Sequence, residues 1–172
     1  MLEEVYEIYQ EEFSVNWIQC IEQTSAMNER EREEFLEEFE KKEESLVAFC
    51  IMGGIFSEGI DLIGEKLIGA IMVGTGIPQI GNEREILRSY YEERGENGFD
   101  YAYRYPGMNK VLQAAGRVIR TSEDRGIILL LDERFRQREY RNLFPVEWSD
   151  RKGCTLNNVE NLIQEFWKEE KE

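Results

Sequence analysis

Three stretches of the chain, residues 46–52, 67–73 and 127–131, are continuously apolar, and each stops abruptly. Gly53 and Gly54 end the first, Gly74, Gly76 and Pro78 the second, and Asp132 and Glu133 the third. A strand buried on both faces has this signature, because no position along it meets water. Between the runs, Ile86, Leu87, Tyr90 and Tyr91, and then Met108, Val111, Leu112, Ala115 and Ile119, recur at helical spacing. Strands that alternate with helices of this length predict an α/β fold with a mostly parallel central sheet flanked by helices. With 172 residues and 41% apolar content, the chain supports one core better than two.

The remaining segments are consistent with that plan. Leu2, Val5, Tyr6, Tyr9 and Phe13 describe an amphipathic helix, and residues 17–21 a short strand. Asn28 with Glu31 forms a capping-box pattern ahead of a helix carrying Phe35, Leu36 and Phe39. Residues 81–106 are too long for a simple connection and predict a helix-plus-loop insertion with a mobile loop near residues 95–98. A last helix, with Val159, Leu162, Ile163, Phe166 and Trp167 as its stripe, follows Asn157 and Glu160, a second capping-box pattern.

Charge and composition restrict the chemistry. A formal net charge of −15 opposes general affinity for phosphate backbones, so any contact with nucleic acid must be local. The imbalance is uneven: residues 1–65 hold four basic and eighteen acidic side chains, residues 101–152 eleven and seven, so the second half is the anion-facing one. The absence of histidine excludes imidazole bases and ligands from this chain. Cys20, Cys50 and Cys154 are odd in number and far apart, matching neither a disulfide framework nor a metal knuckle. No apolar run approaches the roughly eighteen residues of a membrane span, and the start, Met-Leu-Glu-Glu, is acidic. The expectation is a soluble, cytoplasmic protein with no membrane partner.

Two segments carry candidate chemistry. On a helix at 100° per residue, Met108, Leu112, Ala115 and Ile119 share one face while Gln113, Arg117 and Arg120 share roughly the opposite one. Gly116 lies between and leaves room for a ligand or another backbone. Fork-shaped guanidiniums suit a polyphosphate, although an exposed basic helix with ordinary ion pairs has the same pattern. The second segment, residues 53–62, leaves a buried strand and holds Gly53, Gly54, Ser57, Glu58, Gly59 and Asp61. At the carboxyl edge of an open sheet, glycine-freed amides bind phosphate or ribose oxygens. A turn with a satisfied aspartate would look alike. No G-x-x-x-x-G-K-[ST] phosphate loop is present. The Gly74-Thr-Gly76-Ile-Pro78 cluster does not fit a dinucleotide fingerprint and is expected to be a shaped loop at the same edge.

The order of these segments, from Gly53-Gly54 through Asp61 and Gly76-Ile77-Pro78 to Gln113-Ala-Ala-Gly116-Arg117-Val-Ile-Arg120 and Asp132-Glu-Arg134-Phe135, with Pro145 and Trp148 behind, resembles the C-terminal motor domain of DinG- and XPD-type superfamily-2 DNA helicases. The likeness covers residues 45–148 and implies a RecA-like second helicase domain, incomplete at its N-terminus, spanning residues 1–172 with the first motor domain absent. It implies an ATP-dependent 5′ to 3′ DNA helicase with a place in DNA repair, inactive as this fragment alone. Arg117 and Arg120 would reach the γ-phosphate of ATP, Arg120 as arginine finger, with Gln113 orienting the nucleotide or coupling it to them. Glu58, Gly59, Asp61 and Gly116 would lie at the nucleotide and Ser57 at the DNA backbone. The implied partners are the first motor domain, single-stranded DNA and ATP with Mg²⁺ held by that first domain. No metal site and no iron–sulfur cluster are expected in this chain. A different reading, from the net acidity, is a non-catalytic lobe that associates with a partner motor or a nucleic-acid complex. A small nucleotide-binding enzyme would need a phosphate loop or general base that is not seen here.

Overall fold

The computed structural model describes residues 2–24, 26–41, 45–54, 66–121 and 123–168. Its elements run α1 (Leu2–Glu12), β1 (Ile18–Glu22), α2 (Glu29–Glu37), β2 (Ser45–Phe49), β3 (Gly69–Val73), α3 (Asn82–Glu92), α4 (Tyr105–Ala115), β4 (Ile127–Leu131), α5 (Arg138–Arg141) and α6 (Val159–Lys168). The chain divides into two compact units, Met1–Asp132 and Glu133–Glu172.

In the first unit the apolar runs form strands, and every pairing among the described residues is parallel. β1 pairs with β2, from Ile18 opposite Ser45 to Glu22 opposite Phe49. β3 pairs with β4, from Gly69 opposite Ile127 to Val73 opposite Leu131. These are two two-stranded ladders. The core beneath them is built from Phe35, Met72, Ala102, Tyr103, Met108, Val111, Ala115 and Val118. Tyr6 and Tyr9 of α1 close on Phe49 with ring centroids 5.4 and 5.5 Å apart, which fixes α1 beside the end of β2. The Asn28 capping box forms as expected. Asn28 Oδ1 accepts from the Glu31 amide at 3.1 Å, and Glu31 Oε2 accepts from the Asn28 amide at 2.7 Å.

Residues 81–106 hold a helical hairpin in place of a helix and a mobile loop. α3 ends in a Schellman turn: Glu96 N–H donates to Tyr91 O at 3.1 Å and Gly95 N–H to Glu92 O at 3.0 Å, with Gly95 at φ +78°. The next helix begins at residue 98 and passes through a π turn, Asp100–Arg104, before continuing as α4. Pro106 explains the widening. It lacks the N–H that would bond Ala102 O four residues earlier. The Arg84 guanidinium of α3 donates to that carbonyl instead, at 3.2 Å. The hairpin is further closed by stacked Tyr91 and Tyr101, centroids 3.8 Å apart, and by the Tyr103 hydroxyl donating to Glu85. That bond, with desolvation behind it, raises the Tyr103 phenol above its usual range. Ile86 and Tyr90 lie on the outer face, 70% and 47% exposed.

The second unit is small. Phe135 and Tyr140 are buried, and Phe144 joins Phe135 at 6.3 Å and Trp148 at 5.3 Å between ring centroids. The expected Asn157–Glu160 box does not form. Asn158 immediately precedes α6, its Oδ1 accepting from the Thr155 amide at 2.7 Å, while Glu160 accepts from Gln164 within the helix. The choice between two adjacent asparagines is set by the turn that Thr155 makes, which spacing does not reveal.

Gly98 tests the hairpin. A Cβ there would lie 2.2 Å from Arg88 O, a backbone atom that cannot move without shifting α3. Gly98→Ala should cost about 1–3 kcal/mol in a denaturant melt. At Gly81, where a Cβ meets nothing within 4 Å, alanine should change stability by no more than about 0.5 kcal/mol. Equal melts for the two variants would contradict the packing described.

Candidate functional site

The loops leaving β2 and β3 meet α4 at the carboxyl ends of the strands, and the loop leaving β1 meets the one leaving β2, at the edge where open α/β sheets take their ligands. Gln23, just past β1 and 6% exposed, organises the first two. Its amide N–H donates to Phe49 O at 2.8 Å, and its side-chain Oε1 accepts from the Ile51 amide at 2.9 Å. Beyond β2, Gly54 N–H donates to Ile51 O at 3.0 Å, closing a turn whose third residue, Gly53, has φ +78°. Glycine is the residue for that position, since other side chains are strained there.

The Gly74-Thr-Gly76 loop lies at this edge as expected. Gly76, at φ +65°, and Gly107 of α4 permit a close contact of two backbones. A Cβ at Gly76 would lie 2.7 Å from Gly107 O, and one at Gly107 2.6 Å from Thr75 O. α4 is thereby seated on the loop, with Thr75 1% exposed beneath it.

The arginine segment departs from the expected single helical face. α4 ends at Ala115 with Gly116 as cap, at φ −64°. Arg117 and Val118 then donate to Ala114 O and Ala115 O at 3.1 and 3.0 Å, a tighter final turn that leaves the helical path. Gln113 therefore lies on α4, Arg117 in the tightened turn and Arg120 in the loop beyond. The buried stripe changes too: Val118, 3% exposed, takes the place expected for Ile119, which is 41% exposed. Val118 fits because Gly126 makes room for it. A Cβ at Gly126 would lie 2.4 Å from Val118 Cγ1 and 2.9 Å from Ile68 O.

Asp124 fixes the backbone at Arg120. Its Oδ2 accepts from the Arg120 amide at 2.9 Å and from the Thr121 amide at 2.8 Å. Thr121 Oγ1 accepts from the Glu123 amide at 3.2 Å, completing the turn. Arg117 and Arg120, both half-buried, thus leave a segment pinned by an apolar anchor at Val118 and a carboxylate clamp at Asp124. Gln113 and Gly116 are exposed, and the Gly116 Cβ position meets only carbonyls of Leu112 and Gln113. Ser57, Glu58, Gly59 and Asp61 lie outside the described residues. Gln23 and Asp124 were not singled out in the sequence. The Thr121-Ser-Glu-Asp124 run is a turn signal that could have pointed to the latter, whereas nothing local marks Gln23.

A family model for the helicase C-terminal domain matches residues 1–151. The chain belongs to this helicase domain family. Among its relatives are a probable ATP-dependent helicase of Methanocaldococcus jannaschii, 31% identical over 118 residues, covering 63% of this chain and 18% of that protein. The ATP-dependent DNA helicase DinG of Photobacterium profundum is 37% identical over 89 residues, covering 51% and 13%. The XPD helicase subunit of general transcription and DNA repair factor IIH from Dictyostelium discoideum is 32% identical over 108 residues, covering 59% and 13%. A solved XPD helicase structure superposes with a TM-score of 0.56 at 15% identity, covering 82% of this chain and 29% of that one, which shows the shared fold. This helicase domain spans less than a fifth of the length of these curated relatives. Among the described residues no helix is long and apolar enough to cross a membrane.

Asp124→Ala removes the acceptor for two backbone amides of the domain and should cost about 1–2 kcal/mol by chemical denaturation, with Asp124→Asn recovering part of it. An unchanged midpoint for both variants would show that the clamp is not holding this turn.

Proposed function

We propose that this helicase domain is the second motor lobe of an ATP-dependent DNA helicase, moving 5′ to 3′ along single-stranded DNA. The observation that carries the reading is the doubly anchored turn of Arg117 and Arg120, in a chain of this family that has no phosphate loop of its own. Guanidiniums remain charged at physiological pH and match phosphoryl oxygens with paired donors. With the backbone that carries them held by Val118 and Asp124, they act from a fixed base when charge develops on a transferring phosphoryl group.

In this reading ATP is held by the first motor domain of the same protein, and this lobe closes on it. As water attacks the γ-phosphorus and the bond to ADP breaks, Arg120 neutralises the charge on the equatorial oxygens and Arg117 supplies a second guanidinium. Gln113 couples them to the nucleotide. Glu58, Gly59, Asp61 and Gly116 line the nucleotide side, and Ser57 meets the strand. The Mg²⁺ that accompanies ATP is assigned to the first motor domain, as the family resemblance implies. Strand contact is confined to local donors, as a net charge of −15 requires.

In a protein holding both motor domains, Arg120→Ala should lower DNA-stimulated ATP hydrolysis by about 10³-fold or more, with ATP affinity in equilibrium titration little changed. Retained stimulated hydrolysis would refute the finger assignment.

A further inference from the structure

The spacing of Ile86, Leu87, Tyr90 and Tyr91 is that of a core-facing stripe, but α3 buries only one edge of it. Tyr91 turns into the hairpin and stacks on Tyr101, whereas Ile86, Leu87 and Tyr90 remain 70%, 36% and 47% exposed. Ile86 and Tyr90 are four residues apart and so stand in line along the helix. With Asn82, Glu85, Ser89 and Glu93 they form one shallow groove along α3, about 16 Å long. The helix is held in place from its other side. Arg84 donates to Ala102 O at 3.2 Å, Glu85 accepts from the Tyr103 hydroxyl, and Gly98 lets the next helix approach to a distance that a Cβ would prevent.

The charge around the groove is negative. Residues 82–97 carry five carboxylates against three guanidiniums, and each guanidinium is engaged within the hairpin. Arg84 bonds Ala102 O, Arg88 donates to Glu92 at 2.8 Å, and Arg94 donates to Tyr90 O at 3.0 Å while lying over the Tyr90 ring, 3.4 Å from its centroid. What is left is an apolar centre, Ile86 and Tyr90, with the carboxylates of Glu85 and Glu93 beside it. Such a rim repels phosphate backbones. A second copy laid on the same face across a two-fold axis would set these carboxylates against their own kind. A cationic amphipathic helix meets neither conflict.

We propose that the outer face of α3 docks a basic amphipathic helix of a partner protein, with its apolar residues on Ile86 and Tyr90 and its lysines or arginines beside Glu85 and Glu93. Tyr90, packed under Arg94, is an aromatic anchor of the kind that dominates such contacts. The hairpin is ordered before the partner arrives, so docking costs little further ordering. The inference does not use the arginine turn and stands without the motor-lobe reading.

The test is fluorescence anisotropy of a labelled peptide of roughly 14 residues, four helical turns, with leucine on one face and lysine on the other. It is titrated with the 172-residue chain at about 0.15 M salt, beside a control peptide with glutamate in place of lysine. The lysine peptide is expected to bind and the glutamate peptide not. Ile86→Asp should weaken binding at least about tenfold while keeping the fold, read by circular dichroism, because the residue is exposed. Glu93→Lys should weaken it at least about threefold, whereas Glu33→Lys, the same charge change at an exposed position of α2, should leave it unchanged. No binding of the lysine peptide, equal binding of both peptides, or wild-type affinity in Ile86→Asp would each overturn the proposal. Equal loss in Glu93→Lys and Glu33→Lys would do the same, as the mark of diffuse attraction to an acidic chain. So would a dimer in sedimentation that Ile86→Asp dissolves, since the occupant of the groove would then be a second copy.

Discussion

Gly107 of α4 and Gly76 after β3 bring two backbones to a separation that any side chain at either position would prevent. The candidate site depends on that contact. It sets the height of α4 above the strand ends, and with it the places where Gln113 and the arginine turn emerge. The π turn upstream serves the same end. Pro106 would otherwise leave Ala102 O without a donor, and Arg84 of α3 supplies one, so the hairpin and α4 are joined through a bond that no regular helix contains.

The arginines show how geometry changes a sequence pattern without removing its meaning. A helical wheel groups Gln113, Arg117 and Arg120 on one face, but Gly116 caps the helix and the chain tightens immediately after it. A loop would ordinarily be a poor platform for groups that must be held in advance. Here the loop is fixed at both ends, by Val118 in the space left at Gly126 and by the Asp124 carboxylate on the amides of Arg120 and Thr121. The anchoring falls on the same arginines that we propose as the nucleotide-facing pair.

Much of the architecture was legible because it rests on local rules. The continuously apolar runs are parallel strands, the Asn28–Glu31 spacing is a working capping box, and the glycine clusters lie at strand exits. What was not legible depends on partners distant in sequence. The end of α4 is decided by Gly116 and by Val118 meeting Gly126, and the Schellman turn at Gly95 orders a segment whose glycine content suggests mobility. The Gln23 clamp has no local signature, since a glutamine after a short strand acquires its role only when β2 arrives beside it. Ser57, Glu58, Gly59 and Asp61, assigned by resemblance, lie outside the described residues.

In the proposed motor these arginines complete a nucleotide site whose other wall belongs to a second domain. Calorimetric titration of the isolated 172-residue chain with ATP and Mg²⁺ tests this most directly. No binding is expected in the micromolar range, because guanidiniums without a phosphate loop form only part of a site. Micromolar affinity with a stoichiometry near one would contradict it and identify this domain as a nucleotide-binding unit by itself.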